Sequence, residues 1–241
     1  MENPGYIALS RQMVLRRQMD VLAHNLANLT TPGYRGESML FVEHLQRTEP
    51  TEEIAFVRDL ATYRDLKAGP LNHTGNPLDL AIRGEGYFTV ETDEGPRYTR
   101  AGSFTLDAAG RVVTSEGLPV LGESGAPLVV PTDAAALQVA RDGTVSTDQG
   151  EVGRIRPVSF ENEQALAKQA GGLYDPAGQA ALPVDAPVIE QGKIEGSNVA
   201  GIVEMTKMIA AVRSYQAAAK MSDEEHQRQR RAIEALGAAR S

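Results

Sequence analysis

The chain has 241 residues and a formal net charge of −8, with 41% hydrophobic side chains, 5% aromatic ones and no Trp. It has no Cys, which excludes disulfides, thiol nucleophiles and thiolate metal sites, and His24, His44, His73 and His226 are too scattered for a histidine zinc site. Charge is uneven: residues 1–35 and 199–241 carry 11 Lys/Arg against 7 Asp/Glu, whereas residues 36–198 carry 13 against 25, and so acidic a middle disfavours a nucleic-acid partner.

No apolar run approaches the ~18 residues that a membrane-spanning helix needs. The opening "ENPGYIALSRQ" lacks the greasy core of a secretory signal, and Arg16-Arg17 is followed by the polar "QMDVLAHN". The protein is therefore expected in the cytosol or to leave it by a route that uses no cleaved signal.

Residues 4–29 are predicted to be helical. Leu15, Met19, Leu22, Leu26 and Leu29 are spaced 4, 3, 4 and 3 apart, a heptad seam. Ile7, Val14 and Val21 add a second stripe. One seam against one partner helix is marginal, so the helix is expected to gain order when more neighbours cover it. Residues 31–74 read as a connecting segment, partly extended, with "FVEHLQRT" and "FVRDLATYRDL" ambiguous between strand and single turns. From Leu78 the period becomes two, and turn residues recur at strand-length intervals. "LQVARDGTVST" predicts a hairpin closed by a type I′ turn at Asp142-Gly143. Residues 75–198 therefore read as an all-β domain. Helix returns from Val199, where Ser197 or Asn198 is placed to cap it. Ile202, Met205, Ile209 and Val212 repeat the heptad spacing. The expected fold is α+β: long N- and C-terminal helices (1–30 and 199–241) pair as an α-helical coiled-coil domain around an inserted domain of short antiparallel strands.

No catalytic, cofactor or metal constellation emerges. "RGEGYF" lacks the third glycine and the following helix of a dinucleotide fingerprint and reads as a tight turn. There is no phosphate-binding P-loop, "GESGAP" does not have nucleophile-elbow spacing, and "DGTVSTDQGE" does not space its oxygens as a calcium loop.

Three stretches are more distinctive. "DVLAHNLANLTTPGYR" (20–35) ends a helix at Asn25 and Asn28 and turns at Thr31, Pro32 and Gly33. "TGNPLDLAIRGEGYF" (74–88) contains Gly75, Asn76, Pro77, Leu78, Gly84 and Gly86. "QGKIEGSNVAGIVEMTKMI" (191–209) carries Ser197 and Asn198 into the second helix. In this order they resemble the bacterial flagellar axial proteins of the rod and hook family. The opening "YIALSRQMVLRRQMD" is similar to the proximal-rod branch, the distal-rod branch being the nearest alternative. His24 and Pro32 depart from common family residues, and Pro32 should bias Thr31 away from helix.

The resemblance implies a structural subunit with no enzymatic activity and no cofactor. Its terminal helices would pack into the inner layer of a helical tube through Leu15, Met19, Leu22, Leu26, Leu29, Ile202, Met205, Ile209 and Val212. The β domain would project outward, and the motif residues would form the joint between them. Its partners would be other rod subunits, further copies of itself and the flagellar type III export apparatus. The tube would cross the periplasm and transmit torque from motor to hook. The rival readings, a periplasmic enzyme acting on cell wall or a non-polymerising helical adaptor, find no supporting motif.

Overall fold

The computed structural model describes residues 4–49 and 52–238. The chain forms two compact units. The first contains helix α1 (Pro4–Ala27), strands β1 (Glu37–Glu49) and β2 (Glu52–Arg64), and helix α2 (Gly201–Ala238). The second is built from residues 28–36 and 65–199. The chain therefore passes between units four times, after residues 27, 36, 64 and 199.

In the first unit, β1 and β2 form an antiparallel hairpin running from Glu37↔Arg64 to Glu49↔Glu52, with a bulge between Leu40 and Phe41. Helix α1 packs against α2 and against the hairpin. Helix α2 starts where the Ala200 carbonyl accepts the N–H groups of Val203 and Glu204, both at 3.0 Å. It contains no proline, has an Ala-rich middle and runs 38 residues, about 57 Å at 1.5 Å per residue.

The expected coiled-coil pair with an inserted β domain is overturned. Among the described residues there are two α-helices and seventeen strands, and the chain is mostly β. Two physical reasons account for the difference. The ambiguous stretches "FVEHLQRT" and "FVRDLATYRDL" are rich in residues that favour extended backbone, and they pair into one long hairpin that joins the helices in their own unit. The face that α2 buries is also not a row of large apolar residues: it holds Glu204, Ala211 and Ala218, whereas a coiled-coil seam needs knobs at those positions.

The second unit is a series of short antiparallel pairings. In chain order its strands are β3 (Leu71–His73), β4 (Leu80–Ile82), β5 (Phe88–Thr92), β6 (Gly95–Thr99), β7 (Phe104–Leu106), β8 (Val112–Thr114), β9 (Leu137–Val139), β10 (Thr144–Thr147), β11 (Gly150–Arg154), β12 (Val158–Ser159), β13 (Ala167–Lys168), β14 (Leu173–Asp175), β15 (Leu182–Pro183), β16 (Ile189–Gln191) and β17 (Lys193–Glu195). The largest sheet runs β13-β14-β6-β5, and β11-β10-β9 form a second. The last two strands return to the first two, β16 on β4 and β17 on β3, so the entry and exit of the unit lie side by side. Alternating inward residues build a core around Leu80, Phe88, Val90, Phe104, Val120 and Ile189. Phe88 meets Phe104 edge to face at 5.1 Å. Tyr87, Tyr98, Phe160, Leu166 and Tyr174 form a smaller aromatic cluster.

The predicted hairpin is present, with Val139 opposite Val145, but its turn is of another type. A type I′ turn needs positive φ at both central residues, and only Gly143 has it, at +91°. The Asp142 carboxylate instead accepts the Thr144 N–H and hydroxyl, at 3.1 and 3.0 Å, which leaves the single left-handed residue to glycine. Gly84 and Gly86 have the positive φ expected of the "RGEGYF" turn, +100° and +121°.

Candidate functional site

The first and third motifs lie in sequence beside the points where the chain passes from one unit to the other, and Gly75 to Gly86 lie within the second unit. At the end of α1, Asn25 is 3% exposed. Its carboxamide pairs with the backbone of Glu37 in both directions: Nδ2 donates to the Glu37 carbonyl at 2.8 Å and Oδ1 accepts the Glu37 N–H at 2.9 Å. Nδ2 also donates to Glu204 Oε2 at 3.0 Å, while Lys207 Nζ lies 2.7 Å from Glu204 Oε1. One amide thus ties the last turn of α1, the first residue of β1 and the first turn of α2. Only a planar group with donor and acceptor side by side can do this.

After α1 the chain turns sharply. The Asn28 carbonyl accepts the Thr31 N–H at 3.3 Å, and its side-chain oxygen accepts the Thr31 hydroxyl at 3.1 Å. Asn28 does not take the left-handed conformation; Gly33 does, at φ +67°. Gly33 also donates its N–H to the Glu195 carbonyl at 2.8 Å. A Cβ there would lie 2.4 Å from the Arg100 carbonyl carbon, so this position requires glycine twice over. Tyr34 is buried, with Lys168 Nζ 4.2 Å from its ring centroid.

Beside Gly33 is a buried charge cluster. Glu195, 1% exposed, receives Arg100 Nε and Nη2 on Oε2 at 2.8 and 2.6 Å. Its Oε1 accepts the Gly69 N–H at 3.1 Å and lies 3.3 Å from Arg35 Nη2. Arg100 also donates Nη1 to the Gly86 carbonyl at 2.5 Å. Burial lowers the Arg100 guanidinium from its ordinary value, the Glu195 carboxylate raises it, and Arg35 lowers it further.

Asn198 is the counterpart of Asn25 on the return path. Oδ1 accepts the Gly36 N–H at 2.8 Å, and Nδ2 donates to the carbonyls of Asp65 and Lys67, both at 2.9 Å. Neither predicted cap closes on α2. Ser197 Oγ accepts the Val199 N–H at 3.3 Å, ahead of the helix, and the Asn198 amide is fully used by the clamp. In the central motif, Gly75 donates its N–H to Gly192 at 3.2 Å. Asn76 accepts the Leu78 N–H at 3.2 Å across Pro77, and its amide donates to Asp79 at the same distance. Leu78 packs on the core.

The predicted seams fall on different surfaces. On α1, Leu22 is buried, while Leu15, Met19 and Leu26 are half-buried within their unit; Leu29, just past the helix, is half-buried too. On α2, Ile202, Met205, Ile209 and Val212 are exposed by 84, 54, 52 and 36%. Leu9 and Met13 are exposed on α1. Of the second stripe, Val14 and Val21 are half-buried, and the Ile7 side chain lies outside the described residues. No described helix is long and apolar enough to cross a membrane.

Sequence reasoning missed Glu37, Arg100, Glu195 and Glu204. Glu195 and Glu204 lie inside a quoted motif, where acidic residues among small and apolar ones were the available signal.

Three family descriptions match this chain. Residues 6–35 match the flagella basal body rod protein family, 81–147 the FlgE/F/G D1 domain of flagellar hook proteins, and 190–235 the C-terminal region of the flagellar basal body rod FlgEFG proteins. The chain is 37% identical to the flagellar basal-body rod protein FlgF of Caulobacter vibrioides, with 98% of this chain and 99% of that protein aligned. It is 32% identical to FlgF of Rhizobium meliloti over the whole of both, and 32% identical to FlgG of Bacillus subtilis over 90% of this chain and 92% of the other. The chain belongs to the bacterial flagellar basal-body rod protein family. Within it, the chain is most like the FlgF rod proteins. It is a structural subunit of the flagellar basal body rather than an enzyme, and it associates with other rod subunits.

Proposed function

We propose that this chain occupies the proximal rod and polymerises through the solvent-facing sides of its two helices. The carrying observation is the stripe Ile202, Met205, Ile209 and Val212, exposed by 36–84% on a family member that assembles. Contiguous exposed apolar residues of this kind mark protein contacts. Leu9 and Met13 extend the contact surface onto α1, while Leu15, Met19, Leu22 and Leu26 hold the helical unit itself together. Repeated head-to-tail contacts that do not close into a ring build a helical tube. In that tube α1 and α2 form the inner layer. The joint carries torque along the rod. Neighbours cover the exposed stripe, so helix content increases on assembly. The subunit reaches the periplasm through the flagellar type III apparatus.

The test is Ile209→Asp in a strain lacking the native gene, with basal bodies purified for electron cryo-microscopy. The expected outcome is a folded protein and no rod beyond this subunit's position; complete rods would overturn the reading. Leu22→Asp is a poorer probe than Ile209→Asp, because Leu22 is 5% exposed and its loss disturbs the unit from within.

A further inference from the structure

Arg35 is 3% exposed, yet its Nε and Nη1 have no hydrogen-bond partner. Only Nη2 is engaged, 3.3 Å from Glu195 Oε1, and that oxygen already accepts the Gly69 N–H. Donors sealed in protein without acceptors are rare in native structures and call for a partner. Arg35 forms part of the wall of a cavity of about 240 Å³, which also includes Leu66, Ala68, Gly84, Tyr87 and Glu163. Glu163 Oε2 accepts the Tyr87 hydroxyl at 2.8 Å. The cavity lining thus includes one guanidinium with unmet donors, which lie just behind the surface, and one carboxylate. The formal charges of the lining residues Arg35, Arg100, Glu85 and Glu163 cancel, so the site selects polarity rather than net charge.

We propose that this cavity binds a carboxamide: the side chain of an Asn or Gln on a neighbouring rod subunit. Its carbonyl oxygen accepts from Arg35 and its NH₂ donates to Glu163. Binding requires the Arg35 guanidinium to turn toward the cavity and give up its 3.3 Å contact with Glu195. A carboxylate would face Glu163 and the rim residue Glu85, and an ammonium group would face Arg35 and Arg100. Only a group with an acceptor and a donor side by side satisfies both walls. The neighbouring-subunit source rests on the assembly reading above; the chemistry of the cavity does not.

The purified full chain is titrated with propionamide, with propionate and propylammonium as controls at fixed ionic strength. The Arg35 Nε–H resonance, assigned by its loss in Arg35→Lys, is followed by NMR. Propionamide should give a saturable shift, with both charged analogues at least about tenfold weaker. The shift should vanish in Ala68→Phe, which fills the cavity mouth from an exposed position, and in Leu66→Trp should that variant fold better. No response to the amide, or equal responses to all three probes, would overturn the site. In cells, Ala68→Phe should reduce rod assembly. Normal rods in that strain would overturn the neighbouring-subunit source while the in vitro titration still decides the cavity. Normal rods with Ile209→Asp bear on the assembly reading alone.

Discussion

Glu195 holds two arginines with one carboxylate, at a point where the whole group is sealed from water. Removing its charge leaves Arg35 and Arg100 buried without a counter-ion. Glu195→Gln should therefore destabilise the second unit by about 3–5 kcal/mol, read as a lower urea midpoint. Tyr87 matters at alkaline pH. Burial, then the charge and hydrogen bond of Glu163, hold its hydroxyl well above the ordinary value of 10.0. The fold favours the protonated form, so its contribution is fully present below that ordinary value and is lost as pH rises through the higher folded one. Thermal unfolding should show a steep alkaline loss of stability above about pH 10 that Tyr87→Phe flattens. Ala177 is the one described non-glycine residue with positive φ, at +50°. It sits in a turn closed by Gln179 N–H to Pro176, with Gly178 also left-handed. Ala177→Gly relieves about 1–2 kcal/mol of steric cost and gives back about 0.4–1 kcal/mol in unfolded-chain entropy. A small rise in melting temperature is the expected result, and a fall would contradict it.

Two asparagines organise the elements. Asn198 must donate to two carbonyls at once, and Asp65 and Lys67 supply them. Asn198→Asp keeps the shape and removes both donors, so it should cost about 2–3 kcal/mol and speed hydrogen exchange at the Lys67 end of the segment. The two helices were legible from heptad spacing, and the β unit from its period of two and its turn residues. The 37–64 hairpin was not, because Phe41-Val42 and Phe56-Val57 sit among charges that suit a helical turn as well as a strand, and pairing is decided only by the partner strand. The Asp142-Gly143 hairpin was legible but its turn type was not: the Asp142 carboxylate satisfies Thr144 locally, and that contact selects the geometry. Asn25 and Asn198 stood out as motif residues, but their partners are separated from them by up to 179 positions, and no spacing rule connects such distances. The α2 stripe was read correctly as apolar. That it faces solvent, while alanines take the buried side, depends on the hairpin and α1 together.

At the scale of the whole molecule, the four passages between units have a consequence for the order of folding. The first unit is assembled from three separated pieces, 1–27, 37–64 and 200–241, and its clasp joins residues 25 and 204. Contacts of such high sequence separation form late, since the loop entropy must be overcome before they contribute. The second unit, continuous from 65 to 199 apart from one short N-terminal piece, can close on its own strands first. Pulsed hydrogen exchange during refolding should protect the amides of β5, β6 and β14 before those of α2. Simultaneous protection would argue against this order. A chain delivered from one end therefore cannot complete its helical unit until the other end arrives, so the surface proposed to join neighbours is the last part of the subunit to mature.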